Sequence, residues 1–274
     1  MKLTPFRLRA IGVALTLTHL PAAAVQVDSE LIILVDVSSS MNRVEHNAVM
    51  DSLAVSFESG DVLDAVESRS LGTVAASLIF WAGHTQQAVG VDWMEVSDAA
   101  SAAQFAAAIR SATRPFRGAS AIGSALAYAT AAFGTETGGV ANGFESSRQA
   151  ISIFGDGPDN NTPQRGDGEN HVQMARDEAA AAGVDEISSI VLQHPVEDLE
   201  SYYLENVILQ QNGEVAEVTV IDFNGEPQDP VNLGIAQTIG ATTVTSVPEP
   251  SSVLLGGLAI GAAALRRRRQ EVCK

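Results

Sequence analysis

Five consecutive apolar residues, Leu31 to Val35, run directly into Asp36-Val37-Ser38-Ser39-Ser40. An apolar run this short, unbroken rather than alternating, suits a strand buried on both faces, and such strands belong to parallel sheets covered by helices. Its oxygens then emerge at the carboxyl end of the strand. Asp-x-Ser-x-Ser can place one carboxylate and two hydroxyls around a single point, and hard oxygen donors of this kind suit a divalent cation. The same residue types also build ordinary strand-to-helix turns. In that second reading Ser39 or Ser40 caps a helix starting near Met41, and Asp36 is a plain loop acid.

The remaining chain alternates strands and helices. Val44, Ala48, Leu53 and Phe57 lie at helical spacings over 44–57, expected to pack on a sheet, and a short helix is read over 62–66. Residues 73–81 read as a second strand. Gly83-His84-Thr85 then leads into 86–92, whose mixed polarity predicts an antiparallel edge strand. Helices are predicted over 98–110, 122–133, 171–182, 199–207 and 231–239, the third stopped by Gly183. Strands are predicted over 149–154, 186–192 and 215–221, and the glycine-rich 135–143 reads as a surface turn. The fold class is therefore α/β: a Rossmann-like, doubly wound, mainly parallel sheet with one antiparallel edge strand and helices on both faces. In such folds ligands sit outside the carboxyl ends of the strands.

Both ends of the chain read as addresses rather than fold. Residues 1–24 combine a basic start, an apolar stretch from Ala10 to Leu20 and Ala22-Ala23-Ala24, the pattern of a secretory signal peptide cut by signal peptidase after Ala24. At the other end, Val247-Pro248-Glu249-Pro250-Ser251 precedes an apolar run over 253–265, followed at once by Arg266 to Arg269. That run is short of the ~20 residues that cross a bilayer comfortably. The order of these three parts resembles the PEP-CTERM sorting signal of Gram-negative bacteria. The resemblance implies a sorting segment over 247–270, a short transmembrane helix that holds the protein in the inner membrane transiently, and an exosortase that cuts near the Pro-Glu-Pro motif. A plain tail anchor is the alternative. The protein is then exported and ends at the cell surface or in the extracellular matrix.

The formal charge is −17, and Lys2, Arg7, Arg9, Arg266 to Arg269 and Lys274 all lie in the two ends, so the body is more acidic still. Such a body repels nucleic acid and anionic lipid and attracts cations. The single cysteine, Cys273, cannot form an internal disulfide.

Three loops carry oxygen donors: Asp36, Ser38 and Ser40 after the first strand; Ser120 in Gly118-Ala119-Ser120-Ala121-Ile122-Gly123; and Asp156 in Gly155-Asp156-Gly157. Together they resemble the von Willebrand factor A (vWA) domain. Its metal-ion-dependent adhesion site (MIDAS) is written Asp-x-Ser-x-Ser, a Thr in a Gly-rich loop, and an Asp at a later strand end. Ser120 stands where the family has Thr, which keeps the hydroxyl and loses the methyl that restricts the rotamer. The resemblance covers residues 25–246, most clearly to about Leu209. Phe80-Trp81-Ala82-Gly83, Gly155-Asp156-Gly157-Pro158-Asp159-Asn160 and Tyr202-Tyr203-Leu204-Glu205-Asn206-Val207 look like one bacterial branch of it.

The resemblance implies a non-enzymatic, adhesion-type module. Asp36, Ser38, Ser40, Ser120 and Asp156 hold Mg²⁺ (or Ca²⁺ or Mn²⁺), and an acidic side chain of a protein ligand completes the coordination. Asp159 and Asn160 are nearby oxygens without a family position. Two other readings stand beside it. One is an acidic Ca²⁺-binding matrix protein, with Asp222-Phe223-Asn224-Gly225-Glu226 and Asp229 as a further cation loop that lacks EF-hand spacing. The other is a metal-assisted hydrolase. For an enzyme, His46, His84, His171 and His194 offer bases, but the chain has no Gly-x-Ser-x-Gly elbow, and the 118–123 loop has no phosphate-binding lysine.

Overall fold

The computed structural model describes residues 23–163, 168–192, 198–211, 216–221 and 228–240. Residues 1–22 of the expected signal peptide, the sorting segment, His194 and residues 222–227 lie outside these. In chain order the elements are β1 (Val25–Gln26), β2 (Ser29–Asp36), α1 (Arg43–Phe57), α2 (Gly60–Glu67), β3 (Val74–Trp81), β4 (Gln87–Val96), α3 (Ala99–Ser111), α4 (Ile122–Ala132), β5 (Phe144–Glu145), β6 (Gln149–Gly155), α5 (Gly168–Ala182), β7 (Glu186–Leu192), α6 (Leu199–Asn206), β8 (Leu209–Gln210), β9 (Val218–Ile221) and α7 (Gln228–Ile239).

The main sheet runs β4-β3-β2-β6-β7, with β8 and β9 sharing the far edge of β7. β2 is parallel to β3 on one side and to β6 on the other, and β4 is the expected antiparallel edge strand. The two-residue β8 adds a second antiparallel pairing that hydropathy patterning had not indicated. Every residue of β2 is buried. Leu31, Ile33 and Val35 face a core shared with α1, α2, α3 and α7, while Ile32 and Leu34 face one shared with α4, α5 and α6. Two covered faces explain why the run is continuously apolar.

One sequence expectation needs correction. Val44 does not pack on the sheet: it is 78% exposed, and α1 buries His46, Val49, Met50, Leu53, Ala54 and Phe57 instead. At 100° per residue Val44 lies on the opposite side of the helix from Leu53, so it cannot share the buried face that runs through Val49, Leu53 and Phe57.

Chain direction positions the site. The chain leaves central β2 towards β3 and β4, then returns to the other side of β2 as β6. That reversal opens a crevice at the carboxyl ends of β2 and β6. The link from α3, on one face, to α4, on the other, crosses the same sheet edge as residues 112–121.

Candidate functional site

Asp36 is the last residue of β2 and is wholly buried; Ser38 and Ser120 are buried, whereas Ser40 is exposed. The Ser38 backbone N–H donates to Asp36 Oδ1 at 2.6 Å. Ser38 Oγ lies 2.8 Å from Ser40 Oγ, and Ser40 Oγ donates to Asp156 Oδ1 at 2.9 Å. Two of the three sequence-predicted loops are thus joined in one hydrogen-bonded chain. Ser40 is free to join it because it does not cap α1. Asn42 caps that helix, accepting from Val44 N and Glu45 N, while Glu45 returns a bond to Asn42 N. The cap reading of Ser39 or Ser40 is therefore corrected: the helix starts later, and an Asn-x-x-Glu capping box serves it.

The third loop arrives beside the first. Ser39 N donates to Gly118 O at 2.7 Å, and Ala121 N donates to Ala82 O at 2.9 Å. A Cβ at Gly118 would lie 1.9 Å from Gln86 Oε1 and 3.2 Å from Gly83 N, so a side chain here would displace the Gln86 amide and crowd the Gly83 backbone. Ser120 is fixed by Asn160 from both sides: Ser120 N donates to Asn160 Oδ1, and Asn160 N to Ser120 O, each at 2.9 Å. Asp159 Oδ2 accepts from Gly123 N at 3.1 Å and serves the start of α4, where Ala121 offers no side-chain cap.

Arg114 is the other residue whose role hydropathy patterning did not reveal. Its guanidinium donates to the carbonyls of Val37 (2.7 Å), Ser38 (2.5 Å) and Met41 (3.0 Å), clasping the loop that carries both serines. Beneath the site, the hydroxyl of Tyr203 donates to Gly157 O at 3.1 Å. A Cβ at Gly155 would lie 2.0 Å from that hydroxyl, so the Gly-Asp-Gly turn packs directly on the tyrosine.

The electrostatics of the site are unbalanced. Asp36 Oδ2 is buried and accepts from no backbone or neutral side-chain donor; its carboxyl faces that of Asp156 closely enough to share a proton with it. Burial, reinforced by the charge of Asp156, pushes the Asp36 carboxyl up to about 8. Burial also raises Asp156, with Glu45 adding to the effect. Two carboxylates that converge in this way make a place suited to a cation. Among the described residues there is no cluster of three or more His, Cys, Asp or Glu side chains that could hold a metal. The donor set here is instead two carboxylates with neutral hydroxyls. Of the histidines, His46 is buried against Phe80 with ring centroids 6.0 Å apart, and His84 is exposed with its ring beside Asn161.

A family model described as a protein of unknown function, DUF1194, matches residues 26–264. The chain belongs to the DUF1194 family. No curated protein matches this DUF1194 chain. Among solved structures, proximal thread matrix protein 1 of the mussel byssus aligns with a TM-score of 0.53 at 16% identity, over 80% of this chain and 50% of that one. A von Willebrand factor type A structure from Catenulispora acidiphila aligns with 0.51 at 15% identity, over 78% and 43%. The pilus adhesin SpaC from Lactobacillus rhamnosus GG, in its open conformation, aligns with 0.53 at 14% identity, over 79% and 31%. This chain thus spans half or less of each of those chains. At such identities the likeness establishes the fold, which for this DUF1194 member is vWA-like.

Proposed function

We propose that this protein is an exported, adhesion-type binding module with a MIDAS-like metal site. Oδ2 of Asp36, buried without a backbone or neutral donor and facing a second carboxylate, carries the reading. A divalent ion neutralises both acids and gives that oxygen a cation. Asp36, Ser38, Ser40, Ser120 and Asp156 would hold it, with Mg²⁺ suited to an oxygen set of so few charges. Because the serines are neutral, the ion keeps net positive charge, and an acidic side chain of a protein ligand completes its shell. This chain's own residues do the positioning: Arg114 shapes the 37–41 loop, Asn160 holds Ser120, and Asn42 releases Ser40 from capping. The exposure of Ser40 leaves the site accessible to a macromolecule. The vWA-like fold and the presence of an adhesin and a matrix protein among its structural neighbours favour binding over catalysis.

The chain ends complete the proposal. Residues 1–24 direct export and are removed by signal peptidase. Residues 247–270 form a PEP-CTERM segment, with 253–265 held transiently in the inner membrane until an exosortase acts. The working domain, 25–246, then reaches the cell surface or matrix. Among the described residues no helix is long and apolar enough to cross a membrane. Calorimetry with Mg²⁺ tests the centre: the protein should show one divalent site that Asp36→Ala abolishes, and an unchanged isotherm in that variant would sink the assignment.

A further inference from the structure

We propose that the arginines beside this centre make it a receptor for an acidic peptide segment carrying several carboxylates, one on the metal and others on Arg43 and Arg117. The proposal rests on the metal-site reading above and adds the chemistry of the partner. It starts from the distribution of cations. Arg110 pairs with Glu58 at 2.7 Å, Arg148 with buried Glu186, and Arg176 with Asp177 at 2.8 Å. Arg43, Arg69, Arg114 and Arg117 have no described carboxylate within ion-pair distance; Arg69, after α2, donates to Gly240 O at 3.4 Å, whereas Arg114 and Arg117 belong to the 112–121 link and Arg43 opens α1 directly after the loop that carries the serines. Arg114 and Arg117 both donate to Met41 O, at 3.0 and 3.3 Å; burial and then the charge of Arg117 lower Arg114 against the opposing pull of Asp36 and Asp156, and burial followed by both arginines lowers His46. Arg114 is half-buried and committed to carbonyls, so it contributes field; Arg43 and Arg117 are exposed.

Arg43 stands at the first position of α1, where a cation works against the helix dipole. Natural chains break local rules of this kind at functional sites. Glu45 is the acid whose charge is felt at Asp156, and its carboxylate turns back to Asn42 N at 2.8 Å. On a chain of net charge −17 this collar is the complement of an acidic ligand, which the rest of the surface repels and so steers here. Val44, 78% exposed in the same helical turn, adds an apolar surface beside Arg43 that an aliphatic side chain of a peptide fits.

The test is fluorescence anisotropy of a labelled deca-glutamate peptide with the full chain in Mg²⁺, alongside Mg²⁺ calorimetry. The peptide should bind only with Mg²⁺ and weaken as NaCl rises. The Arg43→Ala/Arg117→Ala variant should lose about five- to tenfold in peptide affinity while keeping one Mg²⁺ site no weaker than that of the wild type. Peptide binding unchanged in that variant, no peptide binding despite a normal Mg²⁺ isotherm, or stronger competition by oligogalacturonate or an oligonucleotide than by unlabelled peptide each overturns the collar and leaves the metal centre standing. Absence of Mg²⁺ binding in the wild type removes the centre itself, and the collar with it.

Discussion

Ser40 donates its hydroxyl to Asp156 Oδ1 at 2.9 Å across 116 residues of chain. Two features make that contact. β2 and β6 are parallel neighbours with Val35 beside Phe154, so their following loops emerge together. Asn42 caps α1, so the Ser40 hydroxyl is not drawn back to the helix. The result is a polar chain from buried Asp36 to a solvent-facing rim.

Asp36→Asn separates the cost of this arrangement from its use. Without metal, at pH 7 the variant should unfold at a higher temperature than the wild type, because the Asp36 carboxyl, raised from 3.8 to about 8 by burial and by Asp156, must take up a proton on folding and the amide need not. With Mg²⁺ at about a hundredfold excess over Kd, the wild type gains about 2.7 kcal/mol and the variant almost none. Thermal unfolding in chelator and in Mg²⁺ reads both; an equal Mg²⁺ increment in the two proteins contradicts the site.

Asn160→Ala should weaken Mg²⁺ binding about tenfold, the effect of losing a group that orients a ligand, and lower stability by about 1 kcal/mol for the lost bond to Ser120 N. Asn160→Asp keeps the accepting oxygen and should recover the stability. Urea unfolding and calorimetry on the two variants distinguish positioning from general loss of fold.

Glu30 gives the protein a pH dependence away from the metal centre. Its carboxyl accepts from Asn142 Nδ2 and Ser146 Oγ, yet burial pushes it up to about 7, with Glu136 adding repulsion against the hydrogen bonds from Asn142 and Ser146. The folded state thus holds a proton that the unfolded chain releases near pH 4.5. The contribution is complete below that value and is lost as pH rises through about 7. Glu30→Gln should flatten the urea midpoint between pH 5 and 8 and exceed the wild type at pH 8; a parallel pH profile would refute this.

Arg148 and Glu186 form a buried ion pair at the amino ends of β6 and β7, with Ser188 Oγ donating to Glu186 and Arg148 donating to Thr238 O at 2.8 Å. Arg148→Met leaves a buried carboxylate exposed to no cation and should cost about 3–5 kcal/mol. Adding Glu186→Leu should restore much of that loss. Denaturant midpoints of the single and double variants provide the comparison.

The fold was largely legible because its signals are local. The unbroken apolar run Leu31–Val35 and the mostly apolar Gln149–Phe154 announce two-faced strands, and the mixed run after Gly83 announces an edge. Residues 25–26, 144–145 and 209–210 were not legible as strands, since two-residue pairings leave no period. Val44 was misplaced because 44 and 53 fall on opposite sides of a helix, so the spacing of Val44, Ala48, Leu53 and Phe57 does not define one face. The cap of α1 was misread although its signal was present: Asn42-x-x-Glu45 is a capping box. Asn160 and Arg114 left no such trace, because their bonds to Ser120 and to the 37–41 carbonyls span distant parts of the chain.

By itself, the sequence determined the α/β class, the strand that ends in Asp36, and the residue types of a hydroxyl-rich oxygen set, because periodicity and short motifs act over neighbouring residues. Only the tertiary structure decided that Ser40 meets Asp156, that Asn160 grips Ser120, and that Asp36 keeps one buried oxygen without a backbone or neutral donor. Those facts follow from strand order and from the α3–α4 crossing over the sheet edge, where packing of two cores sets which distant loops share a space and how little water reaches them.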